Sequence, residues 1–370
     1  VKDNDFDRAH RKTFEGLLLR SRRRFGKRVL HWFFHNHVDL TIEGVENVPE
    51  TGPLLILPNH LSNLDGPMIL GLFPHDVEMV GPGDFRVELM KLVMMRLYGM
   101  TLIKRGYTDR SGMTAIMHHL KKGRNVLMFP SGGMWEKRSF ENKTGALYFS
   151  QLTQTPMLPA GISGAYLQGR SAFFFGKPKL TLRFGKVIAP ISNEGSKKER
   201  AEKLEKASRE LADLIFSLLE PEQQAQYKRW MREEYSFEFS FIIKGKHPVH
   251  PEISTPELPA LAQFAHKPNL FRPMWLHARK DMNPFRKNRY YSIDRTRKSA
   301  EAMKENLTGD FDHYIPYRLG EEAHNAILTE LDHFIEFCSQ LKEMGIGKVK
   351  CSTLAYDPQT GEKRYRKISG

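Results

Sequence analysis

The sequence predicts an α/β fold: a mixed, largely parallel sheet flanked by helices, with an N-terminal basic helix and a C-terminal α+β extension. Three observations carry this. From about residue 38 to 220, short apolar runs alternate with amphipathic segments of helical period. Ahead of them, residues 6–36 interleave apolar and aromatic side chains with a dense run of arginines. Beyond about residue 225 the alternation stops. The chain is therefore divided into a basic amphipathic N-terminal helix (1–37), a central domain (38–222) and an extension of unknown role (223–370).

Each element has its own signal. Residues 6–36 read as one long helix, with Leu17, Leu18, Leu19, Val29, Leu30, Trp32, Phe33 and Phe34 set among Arg20, Arg22, Arg23, Arg24, Lys27 and Arg28. Such a helix suits an anionic membrane interface, or else packs on its own domain with a solvated basic face. Strands are expected at 38–44, 54–57, 77–80, 101–104, 125–129, 157–162 and 180–188, and helices at 67–73, 86–98, 110–122, 140–151 and 198–219. The last helix stops at Pro221. In the extension, the Pro- and His-rich stretch 247–275 reads as an ordered wrap or linker, 320–344 as a helix, and the C-terminal end as a hairpin turning at Asp357 to Gly361.

Composition narrows the function classes. The 370 residues include 57 Lys and Arg against 43 Asp and Glu, a net charge of +14, so the surface favours anionic company. The two cysteines, Cys338 and Cys351, have neither metal nor redox spacing, which fits a reducing compartment. No window reaches the roughly 18 uninterrupted apolar residues of a spanning helix. The sequence starts at Val1 without a Met, which leaves room for an upstream anchoring or targeting piece. No nucleic-acid module signature accompanies the basic charge. Gly81-Pro82-Gly83 lacks the spacing of a dinucleotide loop. His247 and His250 have no carboxylate or thiol cluster beside them, so no metal is expected. Ser131 is not in a G-x-S-x-G elbow.

The chemistry-bearing residues lie where strands end. Asn59, His60, Ser62, Asn63 and Asp65 separate the apolar run 54–57 from the next helix. Lys104 and Arg105 end another strand, and Ser131, Gly132 and Gly133 follow a third. Strands of one parallel sheet bring such ends together on one edge. A histidine backed by a carboxylate, a cationic pair and exposed amides on a glycine turn would then share a cleft. Read blandly, His60 is a satisfied loop histidine, Asp65 a helix cap, and Lys104–Arg105 an exposed strand end.

These blocks resemble the glycerolipid acyltransferases, the superfamily of lysophosphatidate and glycerol-3-phosphate acyltransferases. HLSNLD (60–65) matches the family's H-x4-D block, LIKRG its second, FPSGG its third and TPMLPAGI its proline-containing fourth, in register over roughly residues 38 to 222. The resemblance implies that His60 is a general base on an acceptor hydroxyl attacking an acyl thioester, and that Asp65 fixes the imidazole tautomer. It implies that Lys104 and Arg105 hold the acceptor's phosphate, and that amides at Gly132 and Gly133 bind anionic oxygen. Ser131, Gly133 and Met134 depart from the usual Glu, Thr and Arg. P-S-G-G is instead similar to the soluble chloroplast-type glycerol-3-phosphate acyltransferases, with Lys137 and Arg138 standing in for the following arginines.

The expectation is an O-acyltransferase without a cofactor, at the cytoplasmic face of a membrane as a peripheral protein. Acyl-CoA or acyl carrier protein would be the donor, and a lysophospholipid or glycerol-3-phosphate the acceptor. The alternatives are an acyltransferase-like membrane-binding module with altered catalysis, or an enzyme for a non-glycerol lipid alcohol. Membrane docking is assigned to the Arg20–Arg28 cluster, with Trp32, Phe33 and Phe34 entering the interface.

Overall fold

A computed structural model describes residues 14–134, 143–166, 176–243, 248–249, 253–278, 282–286 and 289–365. The chain forms two compact units. The first comprises the residues up to Asp84 with Glu88–Tyr227, and the second comprises Phe85–Val87 with Lys228 onward. The boundary thus falls five residues beyond the expected 222, and the N-terminal helix belongs to the first unit instead of standing apart.

In the first unit, α1 (Phe14–His37) leads into β1 (Asp39–Glu43) and β2 (Leu55–Pro58). After these come α2 (Asp65–Leu72), β3 (Val77–Pro82), α3 (Leu89–Tyr98), β4 (Thr101–Ile103), α4 (Arg110–Lys121) and β5 (Asn125–Leu127). The unit continues with α5 (Thr144–Thr153), β6 (Met157–Ser163), β7 (Lys179–Phe184) and α6 (Lys197–Ser217), and α7 (Pro221–Arg232) follows. The expected helix over 6–36 is found from Phe14 onward; its first residues lie outside the described ones.

The seven strands order as β1-β7-β6-β2-β5-β3-β4. All neighbours are parallel except β6 and β7, which run antiparallel. This is the mixed, largely parallel sheet that the alternation predicts. Central β2 shows why: every residue of Leu55–Pro58 is buried, because both faces of the sheet are covered. Leu54 and Ile56 point to one core with Phe34, Met68, Ile69 and Phe73. Leu55 and Leu57 point to the other, with Ile116, Leu120, Leu147, Leu211 and Ile215. Helices α1 and α2 therefore cover one face, and α4, α5 and α6 the other.

Helix α1 is fixed tightly. A Cβ at Gly71 in α2 would sit 2.8 Å from Leu30 Cβ and 3.2 Å from the His31 nitrogen, so only glycine lets the two backbones approach this closely. Arg23 donates to Tyr98 O (2.7 Å), Gly99 O (3.1 Å) and the Glu78 carboxylate (2.8 Å), and Lys27 donates to the carbonyls of Pro74 and His75 at 3.0 Å each. Full burial of Phe34 contributes roughly 1.5–3 kcal/mol.

The second unit is built on two long antiparallel strands, β8 (Glu234–Ile243) and β11 (Ile346–Tyr356), extended by β9 (Pro248–Val249), β10 (Tyr291–Ser292) and β12 (Lys363–Tyr365). The expected C-terminal hairpin is β11–β12. Phe237 and Phe239 of β8 stack on Phe334 of the helix α13 (Glu321–Glu343), and Phe239 also meets Phe337. The stretch read as a wrap or linker instead contains two helices, α8 (Pro259–His266) and α9 (Pro268–Ala278), with Leu261, Ala262, Phe264 and Ala265 buried. Pro259 occupies the first helical position, where proline is tolerated, so proline content marked helix starts here. Between α9 and α13 lie α10 (Asn283–Arg286), α11 (Ile293–Thr308) and α12 (Tyr314–Leu319).

Candidate active site

Because β2, β3, β4 and β5 are parallel neighbours, the segments following them emerge on one edge of the sheet. The segment after β2 is held first by Asn59. Its buried side chain donates to Ile162 O (2.9 Å) and accepts from Ile162 N (2.7 Å), extending the β2–β6 ladder through a carboxamide. The chain then turns into α2, and His60 and Asp65 meet across the turn.

His60 Nδ1 lies 2.9 Å from Asp65 Oδ2. The same oxygen accepts from the backbone amides of Leu61 and Ser62, at 2.8 Å each. A carboxylate accepting three donors is anchored as an anion, so Nδ1 must carry its hydrogen and Nε2 is left with a lone pair. The imidazole face stacks on Phe129, with ring centroids 3.7 Å apart and planes 15° apart. Its side chain is 16% exposed and that of Asp65 2%. Burial pushes the imidazole below the ordinary histidine value, Asp65 opposes this, and the charges of Lys91 and Arg105 add to the lowering. The result is a neutral, oriented base near two cations.

The second block divides into two roles. Arg105 donates from Nε and Nη2 to the two oxygens of Asp84 (3.0 and 3.1 Å) and from Nη1 to Gly132 O (2.6 Å). Asp84 follows β3 and its side chain is 1% exposed, so Arg105 ties together the segments after β3, β4 and β5. Three of its N–H directions are spent on protein, which narrows the expected role as a phosphate ligand. Lys104 is exposed, and its backbone amide donates to Asp109 (2.9 Å). Hydrogen bonds from the Gly112 and Lys104 amides hold the Asp109 carboxyl at about 2.

In the third block, the Gly132 amide donates to Phe129 O (3.0 Å) and the Ser131 hydroxyl to Gly133 O (3.0 Å). The expectation that the Gly132 amide binds anionic oxygen is corrected: that donor closes the turn. Gly132 serves through its φ of 75°, which ordinary residues rarely adopt, and through the carbonyl that takes Arg105. Arg138 lies outside the described residues. So the structure brings His60, Asp65, Arg105 and the Ser131–Gly133 turn to one edge. It also gives a part to three residues for which the sequence suggests none: Asn59, Phe129 and Lys91. Asn59 and Phe129 adjoin the assigned blocks, whereas nothing local marks Lys91 within α3.

At one edge the α/β sheet gathers a carboxylate-backed histidine, a part-buried arginine and a glycine turn, an arrangement capable of general-base chemistry. Residues 39–163 match the family model described as Acyltransferase. That match supports an acyltransferase domain over these residues. No curated protein matches the chain. Among solved structures, it is similar to the 1-acyl-sn-glycerophosphate (LPA) acyltransferase PlsC from Thermotoga maritima. The identity is 22%, over 57% of this chain and 83% of that one, with a TM-score of 0.37.

Proposed function

We propose that the protein transfers a fatty acyl group from a thioester, acyl-CoA or acyl carrier protein, to the hydroxyl of a glycerolipid-type acceptor such as a lysophospholipid or glycerol-3-phosphate. One observation carries the reading: His60 is held through Nδ1 by an anchored carboxylate, so its basic nitrogen is Nε2. The acceptor hydroxyl gives its proton to Nε2 as its oxygen attacks the thioester carbonyl carbon. The tetrahedral intermediate then expels the thiolate, which takes the proton from the imidazolium. A C–O bond forms, a C–S bond breaks, and no acyl-enzyme is required.

Lys104 and Lys91 supply positive charge for an acceptor phosphate, and Arg105 sets the loop geometry while adding its field. Binding of anionic oxygen by the glycine turn narrows to Gly133. Incubation with acyl-CoA or acyl carrier protein and a panel of lysophospholipids and glycerol-3-phosphate, following thiol release and ester product, tests the reading. Release dependent on one acceptor class supports it. No release with any acceptor by folded protein overturns it in favour of an acyltransferase-like module with altered catalysis.

A further inference from the structure

Helix α1 has two apolar sides. Leu19, Leu30 and Phe34 turn inward with Arg23 and Lys27. Leu18, Phe25, Val29 and Trp32, spaced at i, i+7, i+11 and i+14, form a second stripe facing solvent; Phe25 is 69% and Trp32 59% exposed. The expected insertion of Phe33 and Phe34 is corrected, since Phe34 is fully buried and Phe33 packs against the same core.

Helix α3 packs against α1 where Arg23 grips Tyr98 and Gly99 at the C-terminal end of α3. Its outer side is apolar for its whole length: Leu89 is 77% exposed, Met90 65% and Met94 53%, with Val93 and Leu97 also exposed. Soluble surfaces rarely place so many large apolar side chains side by side.

Charge selects the occupant. From Gly16 to His37 and from Leu89 to Tyr98 there is no acidic residue. Arg20, Arg22, Arg24, Arg28 and Arg96 are exposed around the two stripes. A second copy of this chain would bring two cationic faces together, whereas an anionic bilayer offers phosphates to the arginines and hydrocarbon to the stripes. The position of α3 ties this face to the site. Asp84, between β3 and α3, meets Arg105 at 3.0 Å, and Arg105 in turn donates to Gly132 O at 2.6 Å, so α3 starts five residues beyond the edge that holds the site.

We propose that α3 enters the outer layer of an anionic bilayer, with the outer stripe of α1 beside it, and that the acceptor reaches His60 from the bilayer along α3. The docking half stands on the exposed face alone; the second half rests on the acyl-transfer reading.

The test uses the full chain and vesicles of phosphatidylglycerol and phosphatidylcholine in equal parts, against pure phosphatidylcholine. Met90→Glu/Met94→Glu is compared with wild type, Phe25→Glu/Trp32→Glu and the matched control Met344→Glu, an exposed methionine of the second unit. Wild type and Met344→Glu are expected to co-sediment with the anionic vesicles, and the α3 variant to bind at least about tenfold more weakly. The α3 variant should keep wild-type turnover on dispersed short-chain substrates while losing it on vesicle-borne acceptor.

Unchanged vesicle binding by the α3 variant overturns the proposal. So does an equal loss on dispersed and vesicle-borne acceptor, or a wild-type dimer that the variant dissolves. Vesicle binding is read without any reaction. A wild type that binds but transfers no acyl group therefore refutes the acyl-transfer reading and leaves the docking face standing.

Discussion

Replacing Asp65 by Asn probes the coupling on which the proposed role of His60 as base rests. The substitution keeps size and shape but removes the charge from an oxygen that accepts from His60 Nδ1 and from the amides of Leu61 and Ser62. An Asn oxygen facing the two amides preserves the turn, so the fold should survive. What is lost is the attraction between carboxylate and the imidazolium formed during proton transfer. At an effective dielectric constant of about 20 and a charge separation of about 4 Å, that attraction is about 4 kcal/mol, or roughly a thousandfold in rate. Because Asp65 raises the proton affinity of His60, its loss should also move the ascending limb of kcat/KM to lower pH. The assay is thiol release against pH, with thermal melting to show that both proteins are folded. A variant within tenfold of wild type, with an unmoved limb, would refute the reasoning.

Further outcomes follow from the same geometry. Burial holds His60 below its ordinary value of 6.5 and the base must be neutral, so wild-type kcat/KM should climb through a pH below 6.5 and then stay level; Lys91→Ala should shift that limb to higher pH. Arg105→Ala leaves the buried Asp84 carboxylate without its bidentate partner and should cost about 3–5 kcal/mol in urea unfolding, whereas Lys104→Ala should lower kcat/KM without changing stability. Glu78→Gln weakens the grip of Arg23 and Arg124 and should cost about 2 kcal/mol at neutral pH. The Glu78 carboxyl is held below 4.5 by Arg23 against the cost of its burial, so its contribution is complete above 4.5 and fades as pH falls through the lower folded value. The gap between wild type and Glu78→Gln, measured by urea unfolding, should therefore narrow below pH 4.5.

What the sequence made legible was local. The run 54–57 ahead of a polar turn marked a buried strand, and the five-residue step from His60 to Asp65 placed both groups on one turn. Arg105 shows the limit. Its partners Asp84 and Gly132 are 21 and 27 residues away and meet it only because β3 lies between β4 and β5 in the sheet. A strand-end cation and a scaffold cation look identical in sequence. Helix α1 shows a second limit: two apolar stripes on one basic helix leave open which is buried, and Gly71 decided it by admitting Leu30. In the second unit, Tyr235, Phe237, Phe239 and Phe241 alternate with polar residues and give a period-two signal for β8. That signal is legible in the sequence just ahead of the Pro- and His-rich stretch.

The central claim is that His60 removes the acceptor's proton in a single direct transfer. Rapid-quench measurement of wild type and His60→Gln, with radiolabelled acyl donor and the preferred acceptor, tests it most directly. The account predicts that wild type forms labelled ester in step with thiol release, with no labelled protein at any time. It predicts that His60→Gln binds the donor normally but forms ester several orders of magnitude more slowly. Ester formation by His60→Gln at the wild-type rate, or a labelled acyl-enzyme appearing before product, would contradict it.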